Sequence, residues 1–199
     1  MMNVFSRFLR RAVTRHGAEM PVVTTKGGDT GKSALYSGEF LPKSDLHFEV
    51  IGDIDELSSL FGIVRYKPRI KQVRVGREFM RIQQLLHHAM AVIATNKESE
   101  LYQQLPKITD DDVEWIEKNQ QYYADRTRIE PRFVLPGEHS EPSAWMDYCR
   151  SITRRCERRI VLFIKQERTI VHSDLHCIQR FFNRLSDYLF VLARHLDSV

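Results

Sequence analysis

Arginine recurs on one face of a predicted helix near residue 150. In the run RSITRRCERR, Arg150, Arg154, Glu157 and Arg158 stand at i, i+4, i+7 and i+8, so they share one helix face. Like charges at i, i+4 spacing repel each other, which predicts an anion opposite them. Planar guanidinium groups bind phosphate or carboxylate in a bidentate manner. The pattern therefore fits either an anion clamp or a solvated basic face.

A second polar stripe lies along the last predicted helix. Its members stand at i, i+3, i+4, i+7 and i+14, and they are Arg180, Asn183, Arg184, Asp187 and Arg194. Asn183 and Asp187 add amide and carboxylate oxygens, which basic residues alone do not supply. Two facing helices that both carry such stripes predict a polar site between them.

The segment TTKGGDTGKSALYSGE, residues 24–39, has four glycines within twelve positions. Glycine permits positive φ, and successive N–H groups in such turns form anion-binding nests. Lys26 and Lys32 add positive charge. The segment is not a Walker A motif, because Lys26 stands where that motif requires its first glycine. Taken alone, the glycines favour an ordinary hairpin over a nucleotide loop.

Five helices are predicted to position these residues, which makes the fold class all-α, a five-helix bundle preceded by the Gly-rich loop. The predicted helices start near Asp53, Gln72, Thr109, Pro142 and Ser173. Asp53 with Glu56, and Thr109 with Asp112, resemble capping boxes. The last helix carries an apolar stripe at helical spacing, composed of Leu175, Ile178, Phe182, Leu185, Leu189, Leu192 and Leu196.

Composition limits the class of protein. The chain has 199 residues, of which 42% are hydrophobic and 28% charged, with only 9 Gly and 7 Pro, which excludes collagen-like and wholly disordered chains. No apolar run approaches the roughly 18 residues of a membrane span. Three cysteines without a C-x-x-C pair predict neither a disulfide framework nor a zinc site, but reduced thiols in an intracellular compartment.

The net charge of +4 is concentrated in an N-terminal arm, residues 1–20. This arm has four arginines and one glutamate, a net charge of +3, with apolar residues between the arginines. Such an amphipathic, Arg-rich and acid-poor segment is typical of a mitochondrial transit peptide, which would leave residues 21–199 as the mature domain. The alternative is a retained basic tail that binds RNA or a membrane surface.

Four blocks of the chain together resemble one known family. TKGGDTGKSALYSGE, FEVIGDIDELSSLFGIVR, FVLPGEHSEPSAWMDYCRSITRRCERR and FFNRLSDYLFVLAR follow, in order and spacing, the signature blocks of PduO-type ATP:cob(I)alamin adenosyltransferases. The resemblance spans Thr25 to about His195. It implies a homotrimer of five-helix bundles with active sites between subunits. It also implies transfer of the 5′-deoxyadenosyl group of ATP to the reduced cobalt of cobalamin, with release of triphosphate.

The resemblance also assigns roles to residues. Asp55 would pair with Arg150 across the site, and Phe133 would press against the corrin and exclude its lower axial ligand. Mg²⁺ would be carried by the ATP, so no metal site made of protein ligands is predicted. The residues expected to bind ATP are Thr25, Lys26, Gly28, Asp29, Gly31, Lys32, Ser33, Arg154, Glu157 and Asn183.

Three positions depart from the family pattern. Thr30 replaces the usual lysine of the loop, and Lys32 is expected to supply that charge. Glu138 replaces the usual second glycine after the FVLP block. Asp147 stands where the family commonly has histidine, three positions before Arg150.

Two functions follow from these observations. The first is an adenosyltransferase of the mitochondrial matrix that supplies a B12-dependent mutase. The alternative is a catalytically degenerate protein of the same fold, which acts as a structural or assembly component of a large mitochondrial RNA–protein complex. In that alternative, Phe133 is a buried packing residue.

Overall fold

The computed structural model describes residues 11–13, 19–21, 26–67, 73–166 and 173–198. The chain divides into two compact units, residues 1–43 and residues 44–199. In the first unit, strand β1 (Arg11–Val13) pairs antiparallel with β2 (Glu19–Pro21), and β3 (Lys32–Ala34) pairs antiparallel with β4 (Phe40–Pro42). Ser33 lies opposite Leu41 in the second pair.

The second unit is a helical bundle, which confirms the predicted fold class. Its described helices are α1 (Leu46–Val64), α2 (Val73–Ile93), α3 (Glu100–Gln103), α4 (Asp110–Ala124), α5 (Glu141–Gln166) and α6 (Ser173–Asp197). Helix α6 packs along α5 and α4, and α1 packs against α5 and α2. The single-turn α3 is an addition to the five predicted helices. No helix in the described part of the chain is long and apolar enough to cross a bilayer.

The apolar stripe of α6 forms the centre of the core. All seven residues predicted for this stripe, Leu175 to Leu196, are buried. Burying a leucine-sized side chain contributes about 1.5–3 kcal/mol. This stripe therefore fixes the rotation of α6 about its axis, and it leaves the polar stripe of the same helix facing a different direction.

The predicted start of the first helix is wrong, whereas that of the third is confirmed. Helix α1 begins at Leu46, because the Asp45 carboxylate caps it by accepting the His47 N–H at 3.0 Å. Asp53 lies inside the helix and pairs with Arg155 of α5 at 3.3 Å. Thr109 and Asp112 do form a capping box, in which the Thr109 N–H donates to the Asp112 carboxylate at 3.0 Å.

Candidate active site between helices α4, α5 and α6

A cleft of about 230 Å³ opens between α4, α5 and α6. Each predicted polar stripe contributes to it, α5 through Arg150 and Arg154 and α6 through Asp187. The residues that line the cleft are Gln120, Arg150, Arg154, Ser186, Asp187, Phe190 and Val191. The two stripes found in the sequence therefore meet at the cleft through these three residues, and the other stripe residues, which the structure also describes, do not line it.

Arg150 and Arg154 supply most of the charge of this cleft. The Nε atom of Arg150 donates to the Asp147 carboxylate at 3.3 Å. The Arg154 side chain is exposed and makes no ion pair within the described part of the chain. Asp187 contributes one carboxylate to the lining. Because Arg150 is paired with Asp147 while Arg154 makes no such pair among the described residues, Arg154 is the guanidinium group of the cleft that can attract an anion.

Glu157 and Asn183 link the two stripes directly. The Asn183 amide donates to the Glu157 carboxylate at 3.0 Å, and its oxygen accepts a hydrogen bond from Arg184 at 2.5 Å. Arg184 in turn donates to Glu117 of α4 at 2.7 Å. Because both ends of the Asn183 amide are engaged, its orientation is fixed by α4 and α5 together.

Phe133 lies on the segment that joins α4 to α5, and its ring is fully exposed. The alternative in which this ring packs in the interior is therefore wrong for the single chain. Arg132 donates to the Glu138 carboxylate at 3.0 Å, and the Leu135 N–H donates to the same carboxylate at 3.4 Å. Hydrogen bonds from Arg132 hold the pKa of the Glu138 carboxyl below its ordinary value. Glu138 thus holds the two ends of the segment that carries Phe133 together, through hydrogen bonds from Arg132 and Leu135.

Gly137 allows this segment to turn into α5. Its φ is +71°, and a Cβ atom there would lie 2.7 Å from the Cβ of Ala144. A side chain at this position would both strain the backbone and collide with the first turn of α5.

The described part of the Gly-rich segment begins at Lys26, so Thr25 lies outside the described residues. Residues 26–31 form tight turns, with φ of +56° at Lys26 and +76° at Gly31, and lead into the β3–β4 hairpin. This confirms the hairpin. Its side chains at Lys26, Asp29 and Lys32 are exposed, while Gly28 and Ser33 are half-buried.

Asp55 does not meet Arg150 within one chain. It is exposed on α1, and no described contact joins the two side chains. The predicted pair therefore remains a prediction that requires a second copy. Among the described residues, no group of three or more His, Cys, Asp or Glu side chains is placed to hold a metal ion.

Sequence reasoning missed the pairing of Asp147 with Arg194. These side chains are 4% and 7% exposed, and Arg194 Nη2 donates to the Asp147 carboxylate at 2.6 Å. Arg194 also lies 3.3 Å from the Asp197 carboxylate. The polar stripe of α6 contained Arg194, but no local spacing connects it to a residue 47 positions earlier.

Comparisons with known proteins place the chain in one family. The model of the cobalamin adenosyltransferase family matches residues 23–196. The corrinoid adenosyltransferase MMAB of Mus musculus is 33% identical over 186 residues, covering 89% of this chain and 73% of the mouse protein. A corrinoid adenosyltransferase of Bacillus subtilis is 33% identical over 178 residues, covering 87% and 86%.

A solved structure has the same fold. It is a variant of the PduO-type ATP:corrinoid adenosyltransferase from Lactobacillus reuteri complexed with cobalamin and ATP. The TM-score is 0.77 at 28% identity, and the match covers 89% of this chain and 94% of the other.

Proposed function

The chain belongs to the cobalamin adenosyltransferase family, and we propose that it transfers the 5′-deoxyadenosyl group of ATP to cob(I)alamin and releases triphosphate. The observation that carries this proposal is the cleft that Arg150 and Arg154 of α5 line together with Asp187 of α6. The relatives and the solved structure named above are all adenosyltransferases. They give no support to the alternative of a structural component of an RNA–protein complex.

The chemistry requires cations more than it requires an acid or a base. A bond forms between cobalt and C5′ of ATP while the C5′–oxygen bond breaks, and the oxygen leaves with the bonding electrons as part of triphosphate. Negative charge therefore grows on the leaving group as the reaction proceeds. Preorganised donors aimed at that charge lower the barrier, and Arg154 has that role, whereas Arg150 pairs with Asp55 of a second copy of the chain. Glu157 and Asn183 bind the nucleoside side of ATP.

The Gly-rich segment supplies further contacts to the triphosphate. Its backbone N–H groups and the ammonium groups of Lys26 and Lys32 bind phosphate oxygens, together with Mg²⁺ that arrives with ATP. Lys32 compensates for the lysine that is absent at Thr30. The exposure of Lys26, Asp29 and Lys32 supports this role, because these side chains are accessible to a ligand.

We propose that the active unit is a homotrimer located in the mitochondrial matrix. The exposed positions of Asp55 and Phe133 support an intersubunit site, because neither side chain is satisfied by packing in its own chain. The Arg-rich, acid-poor arm supports import with a transit peptide. The adenosylcobalamin product would supply a B12-dependent mutase.

The proposed function is tested by following the conversion of cob(I)alamin to adenosylcobalamin spectroscopically, with Mg·ATP as the second substrate. Arg154→Ala is expected to lower turnover by about 100-fold, the typical effect of removing one donor to a developing anion. Arg158→Ala is the matched control, because Arg158 lies one turn later on α5 and does not line the cleft. No turnover by the wild-type chain, or equal losses in the two variants, contradicts the proposal.

The Gly-rich segment is expected to gain protection when ATP binds. Amide hydrogens of residues 26–33 should exchange rapidly without nucleotide and at least about tenfold more slowly with saturating Mg·ATP, because their N–H groups become hydrogen-bonded to phosphate. Hydrogen exchange read by mass spectrometry measures this change. Amides in the β3–β4 turn, residues 35–39, are the internal control. Equal protection of residues 26–33 with and without Mg·ATP means that the segment does not bind the triphosphate.

A further inference from the structure

Asp147 lies one helical turn before the cleft residue Arg150, and both of its carboxylate oxygens are engaged. Oδ2 accepts from Nη2 of Arg194 at 2.6 Å, and Oδ1 accepts from Nε of Arg150 at 3.3 Å. Asp147 is buried, whereas Arg150 is partly exposed to the cleft. One buried carboxylate therefore connects an arginine of the core to an arginine of the site.

The rest of the network fixes Asp147 in place. A buried carboxylate is costly unless it is paired and hydrogen-bonded, and Arg194 meets that requirement. Arg194 also pairs with Asp197, whose carboxylate accepts a hydrogen bond from Ser140 at 3.1 Å. Because Asp147 and Asp197 balance Arg194 and Arg150, the network is neutral as a whole. The charge of Arg150 is thus balanced within the network, but Asp147 engages only its Nε and leaves its other N–H groups as donors.

The contact through Nε determines how Arg150 presents its remaining donors. Among the described residues, none accepts a hydrogen bond from Nη1 or Nη2 of Arg150. A guanidinium group is planar, so holding Nε restricts the plane in which the two Nη groups lie. Those two groups form one of the edges that bind an oxyanion in a bidentate manner. Arg150 is therefore held with these donors available for a ligand.

We propose that Asp147 is a positioning residue that orients Arg150 to bind an oxyanion in the cleft. The oxyanion is either the triphosphate of ATP or the Asp55 carboxylate of a second copy of the chain, since both present paired oxygens to a guanidinium group. This inference rests on the proposed function. It assigns a role in the site to Asp147, which stands where the family commonly has histidine.

The test compares Asp147→Asn with Asp197→Asn. Each substitution removes one negative charge from the same buried network and leaves Arg194 with a single carboxylate, but only Asp147 contacts Arg150. The full chain is titrated with inorganic triphosphate in a calorimeter, and its oligomeric state is measured by sedimentation. Asp147→His serves as a second variant if the asparagine variant does not fold.

Both variants are expected to lower the melting temperature, because both disturb the network. Asp147→Asn should weaken triphosphate binding by about tenfold, or about 1.4 kcal/mol, if the ligand is the triphosphate. It should instead shift the protein towards monomer if the ligand is Asp55. Asp197→Asn should change neither the affinity for triphosphate nor the fraction of assembled protein by more than about twofold, which is well below a tenfold change.

The proposal is overturned if the Asp147 and Asp197 variants bind triphosphate equally well and have the same oligomeric state. Turnover of the wild-type chain is measured in parallel. Its absence contradicts the proposed function, whereas the comparison of binding and assembly still decides the role of Asp147.

Discussion

Asp55→Ala and Arg150→Ala are each expected to reduce turnover to below about 1% of wild type, because each removes one half of an ion pair that completes the site. The two side chains do not meet within one chain, since Asp55 is exposed on α1 and Arg150 lines the cleft through α5. The pair therefore requires two subunits.

Mixing the two inactive variants makes this prediction sharper. If the proteins are co-refolded or co-expressed, every mixed assembly of the proposed homotrimer would contain one interface with an intact Asp55 from one chain and an intact Arg150 from the other. Part of the turnover should therefore return in the mixture. A mixture that forms mixed trimers but stays inactive shows that the site is not shared in this way. The control mixture contains Arg158→Ala in place of Arg150→Ala. The Arg158→Ala protein should be active without being mixed with another variant.

Phe133→Ala is expected to lower turnover by about two orders of magnitude, since a small misplacement of a reacting centre costs that much. The ring is fully exposed in the single chain. Its truncation should therefore change the free energy of unfolding by less than about 0.5 kcal/mol, as for other surface substitutions. ATP affinity should also be unchanged, because the ring is assigned to the corrin rather than to the nucleotide.

Turnover, melting temperature and ATP affinity of this variant are measured together. Tyr66→Ala is the matched control, as it truncates another exposed aromatic ring that has no assigned role. A large loss of melting temperature in Phe133→Ala, or full turnover, contradicts the assignment of this ring to the corrin.

The parts of the fold that follow from local patterns were predictable from the sequence. The leucines of α6 repeat at helical spacing, so its buried face could be identified without knowledge of its neighbours. The capping box at Thr109 is also local, because its partners are three residues apart. The arginine stripe of α5 was predictable for the same reason, and it does reach the cleft.

Long-range contacts were not predictable. Asp53 resembles a helix cap in sequence, but its carboxylate is used by Arg155, which is 102 positions later. Asp147 differs from the family pattern, and only the packing of α6 on α5 shows that Arg194 neutralises it. Glu138 pairs with Arg132, and this pair depends on the conformation of the segment that joins α4 to α5. In each case the sequence identified the residue and the tertiary structure determined its partner.

The central claim is that the triphosphate of ATP leaves as one unit while the adenosyl group joins cobalamin. The most direct test is a single-turnover reaction of the wild-type chain with cob(I)alamin and Mg·ATP, in which adenosylcobalamin and all phosphate-containing products are quantified. One triphosphate is expected for each adenosylcobalamin formed. ADP and phosphate as the products, or ATP consumption without adenosylcobalamin, would contradict it.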